Sequence, residues 1–129
     1  MSTEDNKALV WRYFDERWNH ENLDVCDELE SPALDIEASK AWHRSAYASF
    51  GERQLTLLGL LAEGDQVAIH WRVAATHQGD YLGVPATGRP VTYQGIAWLR
   101  ITDGKIVEDT AYWDNLDILQ QLGATTIPN

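Results

Sequence analysis

The sequence is poor in cysteine, in basic residues and in long apolar runs. Its single cysteine, Cys26, cannot form a disulfide within the chain, which argues for a reducing compartment and against a disulfide-stabilised secreted scaffold. No apolar run approaches the ~20 residues that span a bilayer. The acidic start of the chain also lacks the basic and then apolar pattern of a signal peptide. These absences predict a cytoplasmic protein that has no membrane partner.

The scarcity of positive charge limits the possible partners further. Twenty acidic residues stand against ten basic ones, so the net charge is −10, which repels nucleic-acid phosphates. The sequence contains neither a phosphate-binding loop nor a dinucleotide fingerprint. His20, His43 and His70 show no ligand spacing with one another or with Cys26. We therefore expect no nucleic acid, no metal and no organic cofactor.

Aromatic residues, in contrast, are abundant. Six Trp and five Tyr can fill a core, which is the commoner use of any one of them, or line a cavity for a flat apolar ligand. If a small hydrophobic molecule binds, the candidate contact residues are Phe14, Trp18, Trp42, Trp71, Trp98, Thr110 and Tyr112.

The first third of the chain shows helical periodicity. Apolar residues three and four apart predict a helix over 3–19 that Thr3 caps, with Leu9, Val10, Tyr13, Phe14 and Trp18 on its apolar side. Similar spacing predicts a short helix from Asn22 or Asp24 to about Glu30, and a third helix over 38–50.

After Gly51 the period changes to that of strands. Residues 66–76 alternate clearly, with Val67, Ile69, Trp71 and Val73 on one face. The leucine-rich segment 54–62 fits a buried strand, although alone it also fits a helix segment. Strands over 91–102 and 105–113 flank the turn Asp103-Gly104, and a helix over 115–122 follows.

Helices followed by an antiparallel meander and a last short helix predict an α+β fold. We expect one domain over 1–129, in which the N-terminal helices cover one face of a curved sheet. Apolar positions also occur on the other face, as in Val91 to Ile101. Since that face needs cover, the sequence predicts a homodimer.

Asp114 is the principal candidate for chemistry, and two interpretations of it stay open. It follows a predicted strand and precedes an apolar helix, which is typical of a helix N-cap. It could equally be a proton-transfer group at the mouth of the sheet, where Thr110 and Tyr112 share its strand parity. A helix N-terminus lowers the pKa of a carboxyl, whereas an apolar pocket raises it.

Two further side chains accompany this candidate. Arg100 on the neighbouring strand could polarise a carbonyl, or could be a surface ion-pair partner. His77 is expected to be structural and to hydrogen-bond the loop that follows it.

The stretches EGDQVAIHWRVAATHQGDYLGVPATGRPV, GKIVE and WDNLDILQQLG resemble the SnoaL-like polyketide cyclase family. The resemblance implies the cone-shaped α+β fold of the nuclear transport factor two superfamily. It also implies a cofactor-free intramolecular aldol closure of a polyketide ester, with Asp114 at the position of the family's acid/base Asp. Some family features are replaced: residues 34–37 contain no His, SFGERQ stands for a Phe-Pro-Asp motif, Ala86 stands for a Pro, and Thr110 stands for a Trp.

The first functional hypothesis is therefore a cofactor-free cyclase or isomerase that acts on a small apolar carbonyl compound, with catalytic residues Asp114 and Arg100. The second is a non-catalytic module that binds a hydrophobic molecule or a partner in the same cavity. The third is an epoxide hydrolase, which needs two carboxylates with an Arg between them, and the sequence shows no clear third member.

Overall fold

A computed structural model describes residues 2–124 of the protein. Three helices come first: α1 (Thr3–Asn19), α2 (Asp24–Leu29) and α3 (Ile36–Ser49). Four strands and a last helix follow, namely β1 (Phe50–Glu63), β2 (Gln66–His77), β3 (Pro90–Thr102), β4 (Lys105–Trp113) and α4 (Asn115–Gln121). The predicted α+β class is confirmed. Met1 and 125–129 of the predicted domain lie outside the described residues.

Side-chain caps set the starts of α1 and α3, and three predictions for these two helices were wrong. Ser2, rather than Thr3, caps α1, because its hydroxyl accepts from the Asp5 amide while the Asp5 carboxylate accepts from the Ser2 amide, both at 3.1 Å. The Asp35 carboxylate accepts from the Ala38 amide at 3.0 Å, so α3 begins before residue 38. The predicted end of α3 at residue 50 was wrong, because the extended backbone of Phe50 starts β1.

The four strands form one antiparallel sheet in the order β1-β2-β3-β4. Register shifts interrupt β1 between Gly51 and Gln54 and again between Leu57 and Gly59. Such bulges bend a strand and increase its twist, which curves the sheet around the helices. The predicted alternation in β2 is confirmed: Val67, Ile69, Trp71 and Val73 are all buried.

The core lies between the inner face of the sheet and α1. Ile69 on β2 and Ala97 and Leu99 on β3 are completely buried, and Val10 and Tyr13 of α1 pack above the same face. The two faces of the sheet therefore differ in role, since the inner one supplies the core and the cavity described below. No helix within residues 2–124 has both the length and the apolar character that a membrane crossing requires.

Candidate active site

A cavity of about 570 Å³ lies between α1, α3 and the inner face of the sheet, with α4 at its edge. Four of the seven side chains that the sequence nominated for ligand contact line it, namely Phe14, Trp18, Trp42 and Trp71. Their rings make edge and tilted contacts, with centroids 6.1 Å apart for Trp18 and Trp42 and 5.4 Å apart for Phe14 and Trp71. The cavity is therefore shaped for an apolar and largely flat molecule.

The mouth of the cavity is closed on one side by side chains of β4, α4 and the β2–β3 loop. The Trp113 indole donates to Oδ1 of Asn115 at 3.0 Å, and the Tyr81 hydroxyl donates to the same oxygen. Trp42 packs against Trp113 with ring centroids 5.7 Å apart and stays about half exposed. Trp42 is thus the most exposed aromatic side chain in the cavity lining.

The other three nominated contact residues do not line the cavity. On β4 the side chains of Asp109, Ala111 and Trp113 face the cavity, so strand alternation sends Thr110 and Tyr112 to the opposite face. Trp98 pairs with Thr110 across β3 and β4 and points the same way. Its indole donates to Oε1 of Gln66 at 2.8 Å, on the outer surface of the sheet.

Asp114 occupies a helix-cap position. Its Oδ1 accepts from the amide of Asp117 at 2.9 Å at the start of α4, and the residue is exposed and does not line the cavity. Of the two interpretations that the sequence left open, this geometry is that of the N-cap. A proton-transfer role in the cavity does not follow from where the side chain lies.

Arg100 also lies away from the cavity. Its Nη1 donates to both carboxylate oxygens of Asp65 at 3.0 Å, and its Nε lies 3.6 Å from Glu108. The hydrogen bond and the charge of Asp65 raise the pKa of the Arg100 guanidinium. This is the surface ion pair that the sequence offered as the alternative for Arg100.

Two acidic residues line the cavity, and the sequence nominated neither of them. Asp80 lies in the β2–β3 loop, where its Oδ2 accepts from the Gly83 amide at 3.3 Å. Asp109 lies on β4, and the pKa of its carboxyl is shifted. It is reached by solvent through the cavity, yet protein surrounds it on most sides, and this burial raises the pKa of its carboxyl. The negative charge of Glu30 acts in the same direction, whereas the positive charge of Arg17 opposes it. Strand alternation in the sequence could have indicated this, because it places Asp109 on the same face of β4 as Ala111 and Trp113 and on the opposite face from Tyr112.

Arg17 of α1 lies in the floor of the same cavity and is only 3% exposed. Its Nε donates to the carbonyl of Tyr13 at 2.9 Å, and its Nη1 lies 2.5 Å from Nε2 of His43. The guanidinium carbon sits 3.5 Å from the centre of the Tyr13 ring and 4.7 Å from that of Phe14. These contacts hold the guanidinium over two aromatic rings, which attract a cation.

His43 is neutral in this arrangement. Its Nδ1 lies 2.7 Å from the carbonyl of Ser39, which can only accept, so Nδ1 carries the proton and Nε2 accepts from Arg17. Burial, assisted by the charge of Arg17, lowers the pKa of His43 to about 3. The neutral ring therefore orients the guanidinium without competing with its charge.

Glu30 is a buried carboxylate behind the cavity wall. Its Oε2 accepts from the Tyr13 hydroxyl at 2.7 Å and from the Ser39 hydroxyl at 2.9 Å. Burial is the main cause that raises the pKa of the Tyr13 phenol, which is therefore a donor at neutral pH. Glu30 does not line the cavity, so a ligand there contacts Tyr13 and Ser39 rather than the Glu30 carboxylate.

The structural role expected for His77 is confirmed. The ring is fully buried, and its Nδ1 lies 2.9 Å from the Thr87 hydroxyl and 3.2 Å from the Thr87 amide. These bonds fix the loop between β2 and β3, which carries Tyr81 to the cavity mouth. Within residues 2–124, no three His, Cys, Asp or Glu side chains gather to form a metal site.

Comparison with known proteins identifies the family of this chain. The sequence model of the SnoaL-like polyketide cyclase family matches residues 8–122. The aklanonic acid methyl ester cyclase DauD of Streptomyces sp. (strain C5) is 32% identical over 96 residues, which are 74% of this chain and 58% of DauD. The chain thus matches less than two thirds of that relative's length.

Solved structures give the same fold. TsrD from Streptomyces laurentii has a TM-score of 0.85 and 26% identity, over 96% of this chain and 98% of its own. AclR from Streptomyces galilaeus, a proposed hydroxylase, has a TM-score of 0.87 and 28% identity, over 97% of this chain and 89% of its own. The fold accommodates more than one reaction, so the reaction has to be argued from the site. The chain belongs to the SnoaL-like polyketide cyclase family.

Proposed function

We propose that the protein is a cofactor-free cyclase that closes a carbon ring in a small, largely apolar carbonyl compound, with Asp109 as the proton-transfer group. The observation that carries this proposal is that Asp109 lines a cavity with largely aromatic walls, which the buried guanidinium of Arg17 also lines. Burial raises the pKa of the Asp109 carboxyl, which supports the same role. A relative that is named a cyclase supports the reaction class.

The proposed reaction is an intramolecular aldol addition. The Asp109 carboxylate takes a proton from the carbon next to one carbonyl, and the resulting enolate carbon attacks a second carbonyl of the same molecule. The protonated Asp109 then delivers that proton to the new alkoxide. One carbon–carbon bond forms, the product is an isomer of the substrate, and no oxidant or other co-reactant is needed.

The surroundings of Asp109 suit both halves of this cycle. A carboxyl whose pKa is shifted towards neutral pH is a better base and remains a usable acid. The charge of Arg17 favours the carboxylate that begins the reaction. We therefore assign to Asp109 the role that the family resemblance suggested for Asp114.

The alternatives use the same cavity in different ways. A non-catalytic module would bind the apolar molecule and release it unchanged. An epoxide hydrolase would need a positioned water and two carboxylates with an Arg between them. Arg17, Asp80 and Asp109 line the cavity, but the Asp80 carboxylate already accepts from the Gly83 amide. Glu30 accepts from Tyr13 and Ser39 behind the wall, so this reaction has the weaker support.

The direct test offers the protein aklanonic acid methyl ester, the compound in the name of DauD, and in parallel the corresponding free acid. Liquid chromatography with mass detection should show a new peak of unchanged mass whose rate of formation is proportional to enzyme concentration. Binding of both compounds without such a peak would favour the non-catalytic module.

We also propose a homodimer that forms through the outer face of the sheet, within one domain over 1–129. Large apolar side chains on this face are strongly exposed, namely Leu61, Ile96, Trp98 and Tyr112. Register places Trp98 beside Ala68 and Tyr112 beside Ile96, which makes the apolar surface continuous.

Replacement of Trp98 by Glu should dissociate this dimer, because the substitution places a charge in the centre of the proposed interface. Sedimentation velocity at micromolar concentration should show a dimer for the wild type and a monomer for the Trp98→Glu variant. The exposed Leu116 on α4 gives the matched control, and Leu116→Glu should stay dimeric. A monomeric wild type would contradict the proposal.

A further inference from the structure

Arg17 is a buried cation with no ion-pair partner in direct contact. The side chain is 3% exposed, yet it lines the cavity. Among residues 2–124, no Asp or Glu oxygen lies within 4.0 Å of an Arg17 nitrogen. Arginine is rarely buried without such a partner, because an uncompensated charge in a protein interior is costly.

The contacts that Arg17 does make fix its position and leave part of it available. Nε donates to the Tyr13 carbonyl, and Nη1 donates one proton to Nε2 of the neutral His43 ring. Nη2 has no acceptor among the described residues. Among the described residues, the buried polar atoms that lack a hydrogen-bond partner do not include Nη2, so part of its surface is accessible. Because Arg17 lines the cavity, this accessible surface faces the cavity. A guanidinium with a free edge matches the two oxygens of a carboxylate.

The other charges around the cavity leave room for an anion. Glu30 lies outside the lining and already accepts from Tyr13 and Ser39. Asp80 and Asp109 line the cavity, but neither carboxylate has an oxygen within 4.0 Å of an Arg17 nitrogen, and Asp80 Oδ2 already accepts from the Gly83 amide at 3.3 Å. Aromatic rings make up much of the remaining wall, so an acidic group that enters the cavity finds Arg17 as its partner.

We propose that Arg17 makes this cavity a carboxylate-binding site, so that an apolar, flat carboxylic acid binds more tightly than the ester or amide of the same skeleton. This assigns a substrate class to the site of the proposed function and rests on that proposal only for the choice of cavity. The acid group anchors the ligand at the floor, and the apolar skeleton lies against Trp18, Trp42 and Trp71.

The test compares two probes of nearly equal shape, 2-naphthoate and 2-naphthamide, by isothermal titration calorimetry at neutral pH. The wild type should bind the naphthoate at least about tenfold more tightly than the amide, since charge-assisted hydrogen bonds are the stronger kind. In the Arg17→Gln variant this preference should disappear, whereas Arg17→Lys should keep part of it. Arg44→Gln is the matched control, because Arg44 lies exposed on α3 outside the cavity lining, and it should keep all of it.

Equal binding of the two probes by the wild type, no binding of the naphthoate at millimolar concentration, or a preference that survives in Arg17→Gln would each overturn the proposal. The wild-type comparison and Arg17→Lys keep the test valid if Arg17→Gln fails to fold, which circular dichroism detects. Asp109→Asn should retain the preference for the acid. Binding without turnover would thus refute the cyclase and leave the carboxylate site standing, and turnover without the preference would do the reverse.

Discussion

Replacement of Asp109 by Asn should reduce kcat by about 10²–10⁴-fold, the usual contribution of a positioned acid or base. Asparagine has nearly the same shape as aspartate but cannot take up and return a proton. Formation of the isomeric product, followed by chromatography at saturating substrate, measures the loss. KM should change much less than kcat, because the aromatic walls and Arg17 remain in place.

Asp114→Asn is the matched control for this experiment. It makes the same chemical change five residues along the chain, and Asn caps a helix about as well as Asp, so both fold and turnover should persist. A large loss of turnover in Asp114→Asn with normal activity in Asp109→Asn would return the catalytic role to Asp114 and refute the present assignment.

The stability of Asp109→Asn separates lost chemistry from lost structure. A carboxyl whose pKa is raised in the folded state favours folding at low pH, and this contribution is lost as the pH rises through the folded pKa. At neutral pH the wild-type carboxylate therefore costs stability that Asn does not. The variant should unfold at the same temperature as the wild type or at a higher one.

Replacement of His43 by Gln should flatten the loss of stability in acid. The pKa of His43 is about 3 in the folded protein and about 6.5 when unfolded, so between these values the unfolded chain binds the extra proton. The contribution of His43 to the free energy of unfolding is therefore fully present above pH 6.5, and it decreases as the pH drops towards 3. Between pH 6 and pH 4 the loss should amount to about 2 kcal/mol.

Urea unfolding at several pH values between 6 and 4 measures this effect as the difference between the wild type and His43→Gln. Gln retains an acceptor for Arg17 but does not titrate. A His43→Gln variant with the same pH dependence as the wild type would show that His43 is not held neutral.

Much of the fold could be predicted from local patterns, since these patterns have local physical causes. Alternation in β2 marks its buried face, and the Asp103-Gly104 turn places β3 beside β4. The boundary between α3 and β1 was harder to predict, because Phe50 fits the periodicity of either element. Its state is decided by tertiary packing against His77, Tyr81 and Tyr93.

The site was harder to predict because other residues nearby show clearer sequence patterns than Asp109 and Arg17 do. Asp114 shows both a cap pattern and the family position, whereas Asp109 stands in the charged pair Glu108-Asp109, which resembles an exposed strand end. Only the side-chain alternation of β4 tells that Asp109 faces inward. Arg17 falls one turn after Tyr13 and Phe14 on the buried side of α1, a position that a search for apolar residues alone passes over.

The outer face of the sheet shows the same limitation. Trp98 is aromatic and lies on a central strand, so composition favours it as a cavity residue as much as Trp71. Parity separates them only once the register is known, because Trp71 pairs with Gly95 on the inner face and Trp98 pairs with Ala68 on the outer one. Residue type alone does not reveal which face of a two-sided apolar strand binds a ligand.

The most direct test of the account is the pKa of the Asp109 carboxyl, obtained by carbon-detected NMR titration with Asp109→Asn to assign the signal. It needs no substrate, and it reports the property on which the proposed acid/base role depends. The account predicts a pKa well above the ~3.9 of an exposed aspartate. A pKa at or below that value would contradict it, because the carboxyl would then be a well-solvated anion and a poor proton-transfer group.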